Sequence, residues 1–184
     1  IAHWQPVAFV GNVLVHAGSK VWVRWGQSRR LAIRMMGCRR GETGPWYILG
    51  SHYDSRMVAD HDPDPEKRSL PVPGANDGVS TTAILLELAR VLPANLDKQI
   101  WLVFFDAEDQ GGIPGWDWIL GSRYFADSLE GQPDGVVIID MVGDADLQIY
   151  YERNSSPPLQ TSIWQVAQQA GFSEFNSEIK FSIL

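Results

Sequence analysis

The sequence predicts an α/β fold, a three-layer sandwich in which a mixed, mainly parallel central sheet is flanked by helices. Residues 100–105 (IWLVFF) and 135–140 (GVVIID) are short, continuous apolar runs closed by acids, the pattern of strands buried on both faces. Between and around them lie stretches with helical spacing, so that strand and helix alternate along the chain. The acids that close the runs, Asp106, Glu108, Asp109 and Asp140, fall where open α/β sheets bind their ligands, beyond the carboxyl ends of the strands.

The elements follow in order. Residues 7–10, 13–16, 21–25 and 31–36 are short β-like runs punctuated by Gly11, Gly18 and Gly26, which suits antiparallel strands along one side of the sheet. A turn over 41–45 leads into WYILG (46–50), a short buried strand running into Ser51-His52-Tyr53-Asp54-Ser55. Residues 57–73 carry Asp60, Asp62, Asp64 and Glu66 among prolines at 63, 65, 71 and 73, the composition of an exposed loop. A helix is expected from near Asp77, with Ala83, Ile84, Leu85, Leu88, Ala89 and Leu92 as its apolar stripe and Pro93 as its stop. After the 100–105 strand, a glycine-rich connection at 110–115 precedes an expected helix over 116–129, which Gly121 weakens. A strand is expected at 147–151. A helix over 159–170, capped by Gly171, follows, and Ile179, Phe181 and Ile183 alternate as in a strand.

Composition narrows the function. With 184 residues, 45% of them hydrophobic and 20% charged, the chain is long enough for one domain with a sizeable core, taken here as 1–184. A net charge of −7 without a basic stripe argues against nucleic-acid binding. The single cysteine, Cys38, cannot form an internal disulfide, and no apolar run reaches the length of a membrane span. No nucleophile elbow, phosphate-binding loop or dinucleotide fingerprint is present. Both ends look cut, the first residue being Ile1 and the last lying inside the alternating pattern, so a fragment of a longer protein is expected.

Four polar positions share one expected address, the carboxyl edge of the sheet. His52 follows one strand, Glu108 and Asp109 follow the next, Asp140 ends a third, and Asp77 opens a helix. Asp77 and Glu108 are 31 residues apart, as are Asp109 and Asp140, the length of one β-α repeat. Each alone has a plainer explanation: Asp77 as a helix cap, His52 as a loop histidine, Asp140 as a cap of the turn at Gly143, Glu108-Asp109 as loop solvation. Together they bring carboxylates close enough to raise one another's pKa, a cost that a cation removes. One histidine with several carboxylates suits Zn²⁺, and the surplus of carboxylates suits two ions sharing one of them. Asp54, two residues beyond His52, is placed to accept the other imidazole N–H.

With those residues set out, SHYDS (51–55), PGANDG (73–78), FFDAED (104–109), GSRYFA (121–126) and IIDMVGD (138–144) resemble the zinc-dependent aminopeptidases of clan MH, a fold shared by glutaminyl-peptide cyclotransferases. The resemblance covers roughly 31–172. It implies His52 and Asp140 on one zinc, Asp77 bridging two, and Asp109 on the second zinc where the family usually has Glu. It also implies Glu108 as the general base and a cis peptide after the bridging Asp77. The family's last zinc ligand is a C-terminal histidine, whereas His3, His16, His52 and His61 all precede Asp77. The implied activity is removal of N-terminal residues from peptides with a free N-terminus, in a secreted or cell-envelope setting. The alternatives are a single-zinc glutaminyl cyclase, favoured by Trp116 and Trp118 ahead of GSR, and a non-catalytic domain of the same fold, which an intact Glu108 disfavours.

Overall fold

The computed structural model describes residues 5–6, 20–28 and 31–180. They fall into two compact units, one reaching to Met141 and one beginning at Val142.

The first unit is built on a six-stranded sheet: β1 (Gln5–Pro6), β2 (Lys20–Ser28), β3 (Leu31–Arg40), β4 (Trp46–His52), β5 (Gln99–Phe105) and β6 (Gly135–Ile138), in the order β1-β2-β3-β5-β4-β6. The side from β1 to β3 is antiparallel and β3 meets β5 antiparallel, whereas β5, β4 and β6 run parallel. The sheet is therefore mixed, with the expected antiparallel strands on one side. The expected strands at 7–10 and 13–16 lie outside the described residues.

The double burial read from the 100–105 run is present in β5, whose successive side chains point to opposite faces. Leu102 and Phe104 pack with Cys38 and with Leu85 of helix α1 (Val79–Val91), while Val103 and Phe105 pack with Ile48 and with Phe125 of helix α2 (Leu120–Asp127). The Phe105 and Phe125 rings meet edge to face, 5.6 Å between centroids. One helix thus covers each face, which gives the three layers.

Two helices depart from the sequence reading. The inner stripe of α1 is Thr81, Leu85, Leu88 and Ala89, and Ile84 faces outward. Helix α2 begins at Leu120, not at 116, because the chain arrives from a left-handed Ile119 (φ 53°). Its first N–H groups bond back to the turn after β5: Leu120 to the Ala107 carbonyl at 3.0 Å and Gly121 to that of Asp106 at 3.1 Å. A Cβ at Gly121 would stand 2.2 Å from the Asp106 oxygen, so the glycine that weakens a helix in isolation is what permits this approach. The 57–73 stretch is a series of turns around one 3₁₀ turn, Pro65–Lys67, capped by Asp64.

The second unit pairs β7 (Ile149–Glu152) in parallel with β8 (Phe175–Lys180) through helix α3 (Pro157–Gln169). Trp164 of α3 is its anchor, stacked on Tyr151 at 4.6 Å, edge-on to Phe175 at 5.2 Å, and donating its indole N–H to the Asn176 carbonyl at 2.8 Å. The expected alternation at 181–183 lies outside the described residues.

Because Leu85 is fully buried between α1 and the sheet, Leu85→Ala is expected to cost about 2–5 kcal/mol of unfolding free energy by denaturant titration. Ile84→Ala, on the outer side of the same turn, is expected to stay within about 0.5 kcal/mol of the parent.

Candidate active site

Parallel register brings the site together. His52, the last residue of β4, pairs with Phe105, the last residue of β5, so both strands end at one edge. The Tyr53 N–H continues the ladder to the Phe105 carbonyl at 3.0 Å. Beside β4, the Ile139 N–H bonds the Gly50 carbonyl at 2.9 Å, which delivers Asp140 to the same edge. Asp77 arrives from the turn before α1.

His52 is buried, and its two ring nitrogens face different partners. Nδ1 lies 3.1 Å from the Asp54 carbonyl, which can only accept, so Nδ1 carries the proton. Nε2 then faces Asp77 Oδ1 at 3.0 Å and Asp140 Oδ1 at 3.3 Å. One donor atom from each of His52, Asp77 and Asp140 lies within 4.8 Å of the other two, a set able to hold a metal ion. Asp109 is not in this set, although it is close enough for the Asp77 charge to act on it.

The electrostatics are those of crowded acids. Burial raises the Asp77 carboxyl, with the Asp140 charge adding to it. Burial and the Asp77 charge raise Asp109. Glu108 is pushed up to about 7, mainly by burial and then by Asp109, Asp140 and Asp54. Burial opposes a charge on His52, but the hydrogen bonds to Asp140 and Asp54 outweigh it and raise the imidazole to about 11. A donor set of hard carboxylate oxygens and one imidazole, gathered at this cost, fits a divalent ion, whose charge does for all the carboxylates what one proton on His52 does for its neighbours.

Asp54 lies on the Nδ1 side of His52, as the spacing suggested, with its carboxylate 3.5 Å from Nδ1, and it also reaches the turn after β5. There it accepts the Glu108 N–H at 3.0 Å, the Asp109 N–H at 3.4 Å and the Gln110 side-chain amide at 2.9 Å. These bonds and His52 overcome the effect of burial and hold Asp54 below the usual carboxylate range. The expected cis peptide at Asp77–Gly78 is corrected: no peptide among the described residues is cis. The chain turns into α1 through Gly78 at φ 80°, which glycine adopts without a steric penalty. Around the site, Ala107, Ile119 and Met141 hold left-handed conformations at φ 54°, 53° and 50°, each of order 1–3 kcal/mol of local strain. Sequence reasoning did not single out Arg56 and Gln110, both buried here; the available signal was that Arg56 continues the alternate spacing His52, Asp54.

A parallel strand edge here carries a histidine–carboxylate cluster beside a half-buried glutamate, a donor set able to hold a divalent metal ion, on a zinc-exopeptidase fold. The chain belongs to peptidase family M28, whose pattern matches residues 35–182. A probable zinc metalloprotease from Pyrenophora tritici-repentis is 36% identical over 105 residues, which cover 54% of this chain and 19% of that protein. A leucine aminopeptidase precursor from Bacteroides thetaiotaomicron superposes with a TM-score of 0.76 at 26% identity, covering 90% of this chain and 64% of that one. The glutaminyl cyclase of Porphyromonas gingivalis superposes with a TM-score of 0.79, also at 26% identity, covering 90% and 63%. The chain thus spans under two thirds of these relatives. The family and the zinc-dependent relative imply zinc as the metal.

The geometry leads to a metal-binding test on the native full-length protein. His52→Ala is expected to lower zinc affinity by more than the roughly 10–100-fold that loss of an outer partner costs, read by competition with a chromophoric chelator. Asp97→Asn, on an exposed carboxylate away from the cluster, is expected to leave it unchanged.

Proposed function

We propose that the native protein is a zinc-dependent exopeptidase that removes N-terminal residues from peptides. The observation that carries this reading is the convergence of His52 Nε2, Asp77 and Asp140 beside Glu108 on a strained turn. In this reading His52 and Asp140 would hold one zinc, Asp77 would contribute to both sites, and Asp109 would serve a second ion. Zinc, when bound, supplies a Lewis acid that polarises the scissile carbonyl and acidifies water.

The chain's own residues do the rest. Glu108, half-buried beside the cluster and held by the turn after β5, would take a proton from the attacking water on its carboxylate and return it to the leaving amine. Asp54 holds the Glu108 and Asp109 N–H groups and so aims the base. His52 keeps Nε2 toward the cluster because its Nδ1 proton is held by the Asp54 carbonyl.

A glutaminyl cyclase is the second reading, supported by the Porphyromonas gingivalis enzyme's equally good superposition and by the half-exposed Trp118 beside the Glu108 turn. Under it Glu108 shuttles a proton between the substrate's α-amine and its leaving ammonia, with one zinc. The two readings separate by mass. The peptidase is expected to shorten a Leu-initiated peptide by one residue in a chelator-sensitive way. Ammonia loss from a Gln-initiated peptide, with neither peptide cleaved, would favour the cyclase. In either case Glu108→Gln is expected to retain zinc and lower kcat by about 10²–10⁴-fold; unchanged turnover would remove Glu108 from the base role.

A further inference from the structure

We propose that Arg56 is a positioning residue that holds the Glu108–Asp109 turn in working register with His52, an inference that rests on the reading of those two carboxylates given above. The turn after β5 is gripped from both polarities of its backbone. Asp54, which can only accept, takes the N–H groups of Glu108 and Asp109. Arg56, which can only donate, gives Nη1 to the carbonyls of Asp109 at 2.7 Å and Gly111 at 3.0 Å. Both grips come from the short segment directly after His52, so a span of four residues fixes where the base and the second-site carboxylate stand relative to the imidazole.

The guanidinium is itself held. Asp60 takes Nε at 2.6 Å and Nη2 at 2.7 Å, a two-point fork that leaves Nη1 for the turn. The Trp118 ring lies over the guanidinium carbon at 5.2 Å, and the next residue, Ile119, donates its N–H to the Glu108 carbonyl at 3.0 Å. Glu108 is thereby fixed at its N–H by Asp54 and at its carbonyl by the segment that Arg56 supports through Trp118. Arg56 itself is buried, with the more open Asp60 and Trp118 on its outer side. The two carbonyls that take Nη1 flank Gln110, directly after the base. A lysine, one point charge on a flexible stem, cannot serve Asp60 and both carbonyls at once.

The test uses Arg56→Lys and Asp60→Asn in the native full-length protein. For Arg56→Lys, kcat is expected to fall by about 10–100-fold, the range for outer partners of such sites, with KM little changed. Amide exchange of the 106–112 peptide should rise while that of 99–105 stays at the parent level. Asp60→Asn keeps the guanidinium and releases its fork, and should move both readouts the same way by less. A folded Arg56→Lys with parental kcat or parental exchange at 106–112 overturns the proposal. If Arg56→Lys does not fold, Asp60→Asn with parental values of both overturns it. Parental turnover in Glu108→Gln removes the site reading instead, and the inference with it, so the two failures are distinct.

Discussion

The parallel pairing of β4 with β5 is the interaction on which the rest of the larger unit depends. Its register aligns His52 with Phe105, so that the polar chemistry of two strands begins at one line. Double burial of β5 enforces this register. With Leu102 and Phe104 committed to one helix layer and Val103 and Phe105 to the other, a slip of one residue would exchange the faces and expose the core. The register of the two strands is therefore held by hydrophobic packing on both faces of β5.

What that packing holds is unfavourable in isolation. Asp77, Asp140, Glu108 and Asp109 crowd around one buried imidazole, and burial raises three of these acids. Left-handed Ala107, Ile119 and Met141 add strain at the turns that deliver them. Such features persist when the surroundings over-determine them. Here the surroundings are the ladder of β4 with β5 and β6, the back-bonds from α2 to 106–107, and the two opposed grips of Asp54 and Arg56 on the turn. A divalent cation would offset this repulsion.

The same framework accommodates two reactions among the proteins it resembles, as the aminopeptidase and cyclase superpositions illustrate. Both readings proposed for this chain use Glu108 as a base beside zinc. They differ in which nucleophile reaches the electrophilic carbon, a matter for the surfaces around the base. Trp118 belongs to such a surface, since it adjoins the turn through Arg56 and Ile119.

The sequence by itself determined the α/β class, the buried strands and the residues to watch. Apolar runs of fixed length, helical spacing and acids at strand ends are local signals that survive without coordinates. His52, Asp77 and Asp140 were legible because chemistry-bearing residues at strand ends have one edge to share. Three things were decided only by tertiary structure. The start of α2 depends on carbonyls at 106–107, far from it in sequence, which override local helical preference and turn Gly121 from a weakness into a requirement. Asp54 turns its carboxylate to the Glu108 turn because amides 54 and 55 residues further on lie there. Arg56 left only the alternate spacing after His52 and Asp54 as a mark in the sequence: a charged residue in a loop reads as solvated until distant carbonyls and Asp60 close around it.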